Sequence, residues 1–153
     1  MDKIYFSEMH LDRYDYNMNE NFLDYEFYSK GPKGMVKKIV RFTHISGDVY
    51  NLAFGDLDYK TGEISDTAVT DNNDSRKVLA TVAATLHDFT LRYPEAIVLA
   101  KGSTYSRTRL YRMGITNHLS VINIDFEIFG LKDEHWELFK AGENYDAFLT
   151  RRK

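Results

Sequence analysis

Among 153 residues the chain has no cysteine, only two prolines and a single tryptophan. Without cysteine there are no disulfides, thiolate metal ligands or thiol nucleophiles, and a reducing compartment, the cytoplasm, is expected. With so little proline, and no Gly/Ser-rich linker, internal repeat or low-complexity tract, nothing marks a domain boundary. One domain over 1–153 is expected, long enough to bury roughly two thirds of its unfolded surface. Long apolar runs are missing too. The longest, Ala96 to Ala100, falls far short of the roughly 20 residues that span a bilayer. Residues 1–20 lack a basic stretch followed by an apolar one, which argues against a signal peptide. They are rich in Asp, Asn and Tyr without clean periodicity and read as a loosely attached lead-in.

Net charge is −3, which exerts no global pull toward nucleic acid, but the charges come in blocks. Residues 1–29 carry seven acids and two bases, and 30–41 carry five bases and no acid. Residues 42–75 hold seven acids and one base, and 76–112 hold seven bases and two acids. Such segregation builds an electropositive face on an acidic protein, or it places acidic and basic strands side by side to pair.

Periodicity predicts an α+β chain. In Leu23 to Lys30, Leu23, Tyr25 and Phe27 alternate with Asp24 and Glu26, a half-buried strand. Turn chemistry at Gly31–Gly34 leads into a basic strand from Met35, so the two form a hairpin in which cross-strand pairing accounts for Lys37, Lys38 and Arg41. Two more strands, Val49–Asp58 and Ile64–Val69, complete an antiparallel meander. The cluster Asp71–Ser75 supplies N-caps for a helix whose stripe is Val78, Leu79, Val82, Leu86, Phe89 and Tyr93, stopped by Pro94. The run Ala96–Ala100 suits a central strand. Two further helices are read around Gly114, the first ending there and a short second starting at Thr116 or Asn117. A C-terminal hairpin turns at Asp133–Glu134, and Glu143–Lys153 is left open between a helix and an edge strand.

The stretch Ala100–Gly114, AKGSTYSRTRLYRMG, carries the functional question. A helix that starts just after a buried strand points unsatisfied N–H groups outward with about half a positive charge, and anions bind there. Gly102 would let backbone approach a ligand, Ser103 or Thr104 would cap or donate, and Lys101, Arg107, Arg109 and Arg112 supply cations. The signal is not specific, because neither GxxxxGK[ST] nor GxGxxG is present. At about 100° per residue Arg109 and Arg112 stand about 60° apart, whereas Arg107 points about 160° from Arg109, so the three cannot converge. The plain alternative is a capped helix whose arginines make structural ion pairs. A second basic locus, Lys30, Lys33, Lys37 and Lys38 around the hairpin tip, would reinforce the first if both lay on one side.

No histidine pair has metal-ligand spacing, and no GxSxG elbow occurs. No metal and no cofactor are expected. Glu134, His135 and Glu137 fall at a turn where solvated polar residues are ordinary. Asp56, Asp66 and Asp71 raise the thought of metal-dependent phosphoester chemistry beside the arginines, but their spacing matches no metal loop and turn and cap duty is the better explanation of such acids.

The segments SKGPKG, NLAFGD, KVLATVAATL, YPEAIVLAKGST, SRTRLYRMGI and YDAFLTRRK resemble a small family of uncharacterised proteins of Bacteroidetes-type bacteria, a domain of unknown function. The resemblance runs from about Leu23 to Lys153 and leaves out roughly the first 20 residues. It implies a single-domain bacterial protein and brings no established activity, cofactor or partner. Gly102, Ser103, Thr104, Arg107 and Arg109 belong to the recognisable signature.

The expectation is a non-enzymatic cytoplasmic module that binds a phosphate-bearing ligand, a nucleic acid or nucleotide, at a helix N-terminus. The alternative is a protein-interaction or regulatory component of a bacterial toxin–antitoxin or defence-type operon, using an exposed strand edge and the tyrosine-rich lead-in. A third is a metal-dependent phosphoesterase.

Overall fold

The computed structural model describes residues 12–65, 71–102 and 104–153. Among them are eight strands: β1 Asn17–Met18, β2 Asp24–Gly31, β3 Gly34–Ser46, β4 Val49–Asp56, β5 Ile97–Ala100, β6 Phe126–Lys132, β7 His135–Leu138 and β8 Ala147–Arg152. Two helices, α1 Ser75–Arg92 and α2 Tyr105–Asp125, complete the described elements. The strands form one sheet in the order β1-β2-β3-β4-β5-β8-β6-β7. All neighbours are antiparallel except β4 and β5, which run parallel. Parallel neighbours need a long crossover, and the stretch containing α1 provides it. Strands, then helices, then strands is the α+β order.

One face of the sheet is the core. Tyr25, Phe27, Val40, Phe42, Leu52 and Phe54 from β2 to β4 pack with Val98, Phe148, Phe126 and Ile128 from the other half, and helix residues such as Val82, Phe89 and Ile122 close over them. The Phe89 ring stacks on Phe42 with centroids 4.0 Å apart and planes 2° from parallel. On the opposite face Leu99, Leu149, Phe129 and Leu131 are half-buried, while Trp136 and Leu138 on β7 are exposed.

The hairpin of β2 and β3 forms as its alternation requires, with Asp24 opposite Arg41 and Gly31 opposite Gly34. A side chain at Gly31 would meet the Asn72 backbone oxygen at 2.1 Å, so only glycine fits. Of the expected fourth strand of the meander, the described residues show one bridge, Leu57 to Ile64, and 66–69 lie outside them. The described part of the lead-in is tied down. Tyr14 is buried, its hydroxyl donating to Asp74 at 2.6 Å and accepting the Lys30 N–H at 3.0 Å, and β1 pairs with β2.

Two expectations are corrected. The two helices read around Gly114 are one, 21 residues long. Gly114 lacks the left-handed φ of a C′ glycine; a Cβ there would lie 3.1 Å from Leu79 Cδ2, so the glycine serves the close crossing of α1 and α2. The C-terminal segment is a strand but not an edge: β8 inserts between β5 and β6. The β6–β7 hairpin itself turns at Asp133 and Glu134, with φ of 51° and 66°, the paired left-handed residues of a tight two-residue turn.

Candidate functional site

At the start of α2 the Thr104 hydroxyl accepts the Arg107 N–H at 3.2 Å, a side-chain N-cap. Just before it, the Gly102 N–H donates to the Thr108 hydroxyl at 3.1 Å. A Cβ at Gly102 would fall 2.3 Å from the Thr108 nitrogen and 2.6 Å from Arg107 Cβ. The close approach that this glycine permits is therefore to the first turn of its own helix. Ser103 lies outside the described residues.

The three arginines diverge, as their spacing required. Arg107 reaches back over Gly55 on β4 and donates to the Ser65 carbonyl. Arg112 reaches the other way and donates to the Asn144 side chain ahead of β8. Arg109 is exposed and has no hydrogen bond or ion pair among the described residues. None of the three is paired with a carboxylate among those residues. Tyr111, one turn on from Arg107, anchors the helix to β4. Its ring meets Phe54 edge-on at 5.3 Å and its hydroxyl donates to the Leu52 carbonyl at 3.3 Å. Burial pushes that hydroxyl up to about 12.

Two clefts flank the ridge that carries Arg109. The first, about 460 Å³, lies between the starts of α1 and α2 over a floor of Phe54, Val78, Leu79 and Leu110; Lys38, Asp71, Asp74 and Ser75 contribute polar groups to its walls. The second, about 420 Å³, is bounded by Lys101, Gly102, Thr108, Arg112, Asn144 and Asp146. Tyr105 and Arg109 line both. Tyr105 is 76 % exposed and makes no ring contact among the described residues.

The wall of the first cleft at the start of α1 is held by a polar network. Asp74 is the N-cap residue of α1, but its side chain does not cap; one carboxylate oxygen instead accepts the Tyr14 and Ser29 hydroxyls at 2.6 and 2.5 Å. Asn72, fully buried, donates to Ser29 and to the Gly34 carbonyl and accepts the Lys33 N–H. These bonds splice the tip of the β2–β3 hairpin to the helix start.

The second basic locus comes apart in the structure. Lys38 is 2 % exposed and forms an ion pair with Asp56, its register partner on β4. Lys37 points to the opposite face and pairs with Glu26 at 3.1 Å. Lys30 and Lys33 stay exposed, held through their backbone N–H groups. Lys38 alone of the four reaches a cleft that Arg109 also lines.

Among the described residues no group of three or more His, Asp or Glu can hold a metal. Asp56 is engaged with Lys38, Asp71 lines the first cleft, and Asp66 lies outside the described residues. His135 and Glu134 are exposed at the β6–β7 turn, while Glu137 accepts the Tyr145 hydroxyl at 3.0 Å. No described helix is long and apolar enough to cross a membrane. The part of this site that sequence reasoning missed is the first cleft. Asp71 and Asp74 were read as cap candidates, but nothing in the spacing of the sequence brings them together with Phe54 and Leu110.

The class is an α+β domain of one mostly antiparallel sheet with two helices on one face and twin clefts at the start of the second helix. The chain belongs to the family of unknown function DUF6934, whose model matches residues 10–153. The match begins well before the expected boundary near residue 20, in keeping with the packing of Tyr14 and β1. No curated protein and no solved structure matches the chain.

Proposed function

We propose that the protein binds a phosphate-bearing ligand, a nucleotide or a single-stranded nucleic acid, across the ridge formed by Tyr105 and Arg109. The observation that carries the reading is that these two exposed side chains, without partners among the described residues, line both clefts. An exposed tyrosine ring offers a stacking surface for any base, and a guanidinium offers a forked donor to phosphate. The phosphate belongs on the side of the second cleft, where Lys101, Arg109 and Arg112 face one acid, Asp146. A base belongs over the apolar floor of the first.

The reading is tested with Arg109→Ala combined with Arg112→Ala. Arg109 is exposed and Arg112 makes one side-chain hydrogen bond among the described residues, to Asn144, so the melting temperature stays within a few degrees of wild type. Binding of a labelled oligonucleotide at low salt falls at least about tenfold, and the slope of log affinity against log salt becomes shallower. Wild-type protein that retains neither nucleotides nor oligonucleotides at low salt overturns the reading, as does a double variant that binds like wild type.

A second reading, an interaction component of a bacterial toxin–antitoxin or defence-type operon, draws on β7. Among the described residues this edge strand pairs only with β6, and it exposes Trp136 and Leu138. A stoichiometric protein partner that co-purifies after nuclease treatment and is lost on Trp136→Glu favours it; its absence removes it.

A further inference from the structure

The two clefts differ in charge in a way that separates the parts of a nucleotide, and this inference rests on the nucleotide reading above. In the first cleft Asp71 and Asp74 stand on the α1 side. Neither is in an ion pair among the described residues, and only one oxygen of each has a hydrogen-bond donor there: the Asn73 N–H for Asp71, and the Tyr14 and Ser29 hydroxyls for Asp74. The cations of this cleft stand apart from that wall, Lys38 paired with Asp56 and Arg109 on the ridge, so two carboxylates beside an apolar floor disfavour phosphate on the α1 side and accept N–H groups. The group seated there is therefore flat, largely apolar and rich in donors at one edge.

The bases differ at that edge. Guanine alone presents two adjacent donors, N1–H and the N2 amino group, to a facing carboxylate. Adenine and cytosine each present one amino group beside a ring nitrogen whose lone pair a carboxylate repels. Uracil presents a single N–H between two carbonyls. From this we infer that the first cleft takes the guanine ring of a guanine nucleotide, with Asp71 and Asp74 accepting N1–H and N2–H while the phosphate crosses the Tyr105–Arg109 ridge to Lys101 and Arg112. The Asp74 carboxylate is oriented for this by the Tyr14 and Ser29 hydroxyls, which fix it before any ligand arrives.

The experiment is titration calorimetry of the full chain with GMP, IMP, AMP, CMP and UMP in one low-salt buffer. IMP keeps N1–H and lacks the N2 amino group. The expected order is GMP tightest, IMP weaker, and AMP, CMP and UMP weaker than GMP by at least about tenfold. Asp71→Asn, at an exposed position whose replacement keeps the local turn, brings GMP down to the level of AMP without weakening AMP. Asp74→Asn does the same, and a melting curve separates that effect from loss of the Tyr14–Ser29 network. If all five nucleotides bind equally and Arg109→Ala weakens them all, the guanine assignment is overturned while the ridge reading stands. If none binds, both fall.

Discussion

Burying the Lys38 ammonium in the sheet is tolerable because Asp56 meets it across one rung of the β3–β4 ladder, with both residues nearly inaccessible to solvent. A buried pair of this kind adds little net stability over an apolar pair, yet removing one partner leaves a charge in a poor solvent. Lys38→Met is expected to destabilise the fold by about 3–5 kcal/mol in urea unfolding, and Lys38→Met with Asp56→Leu to recover most of that loss. If the single and double variants have equal midpoints, the pair is not what compensates the lysine. The sequence reading put Lys38 in a basic locus at the hairpin tip, although it stands in phase with Val36, Val40 and Phe42, on the face that packs against the helices. Its partner was not legible in the sequence, because an acidic strand on each side of β3 offered carboxylates and alternation does not say which strand supplies them. Arg109 is similar. Spacing excluded convergence of the three arginines, but which of them stays unoccupied depends on the Ser65 carbonyl and the Asn144 amide, whose positions are set by the tertiary fold.

Elements read from periodicity were recovered where local pattern and tertiary packing agree, as in β2, β3, α1 and the β6–β7 hairpin. They were misread where a residue has two uses. A glycine after a helical stripe ends a helix when its backbone turns left-handed, and continues it when the missing side chain admits a neighbour; Gly114 does the second. The deciding contact, Leu79, is 35 residues away in sequence. Gly114→Val tests this. The added branches meet Leu79, and this overpacking outweighs the few tenths of a kcal/mol by which valine is a better helix former than glycine, so a loss of about 1–3 kcal/mol is expected, read as a fall in melting temperature. Far-ultraviolet circular dichroism stays that of wild type below the transition. If Gly114→Val is as stable as wild type, the crossing is looser than the contact implies. Gly102 is constrained more severely, since its Cβ would overlap backbone and not a side-chain tip. Gly102→Ala is expected to disturb the α2 start and, on the proposed function, to weaken ligand binding together with stability.

At the scale of the whole molecule, the insertion of β8 between β5 and β6 ties the C-terminus to the middle of the sheet, and α1 is clamped to that seam through His87. The Arg152 guanidinium at the end of β8 donates to the His87 carbonyl at 3.1 Å and to the Thr90 hydroxyl at 2.9 Å, and the His87 ring faces Phe126 edge-on. Burial, the largest cause, and the nearby Arg152 charge hold the His87 imidazole below its ordinary value of 6.5; Asp88 and Asp125 oppose the shift but do not cancel it. A base whose folded value is depressed binds fewer protons folded than unfolded as pH falls through 6.5, so folding loses stability over that interval and keeps it in full above. Melting temperature is therefore expected to be flat from pH 8 to about 7 and to fall progressively below the ordinary histidine range. His87→Gln lowers the melting temperature at every pH, because a buried ring is replaced, but it flattens the decline between pH 6.5 and 5. The comparison of slopes, not of absolute temperatures, is the measurement. An equal slope in the variant moves the pH sensitivity to other groups and leaves the α1–β8 seam without a protonation-dependent part.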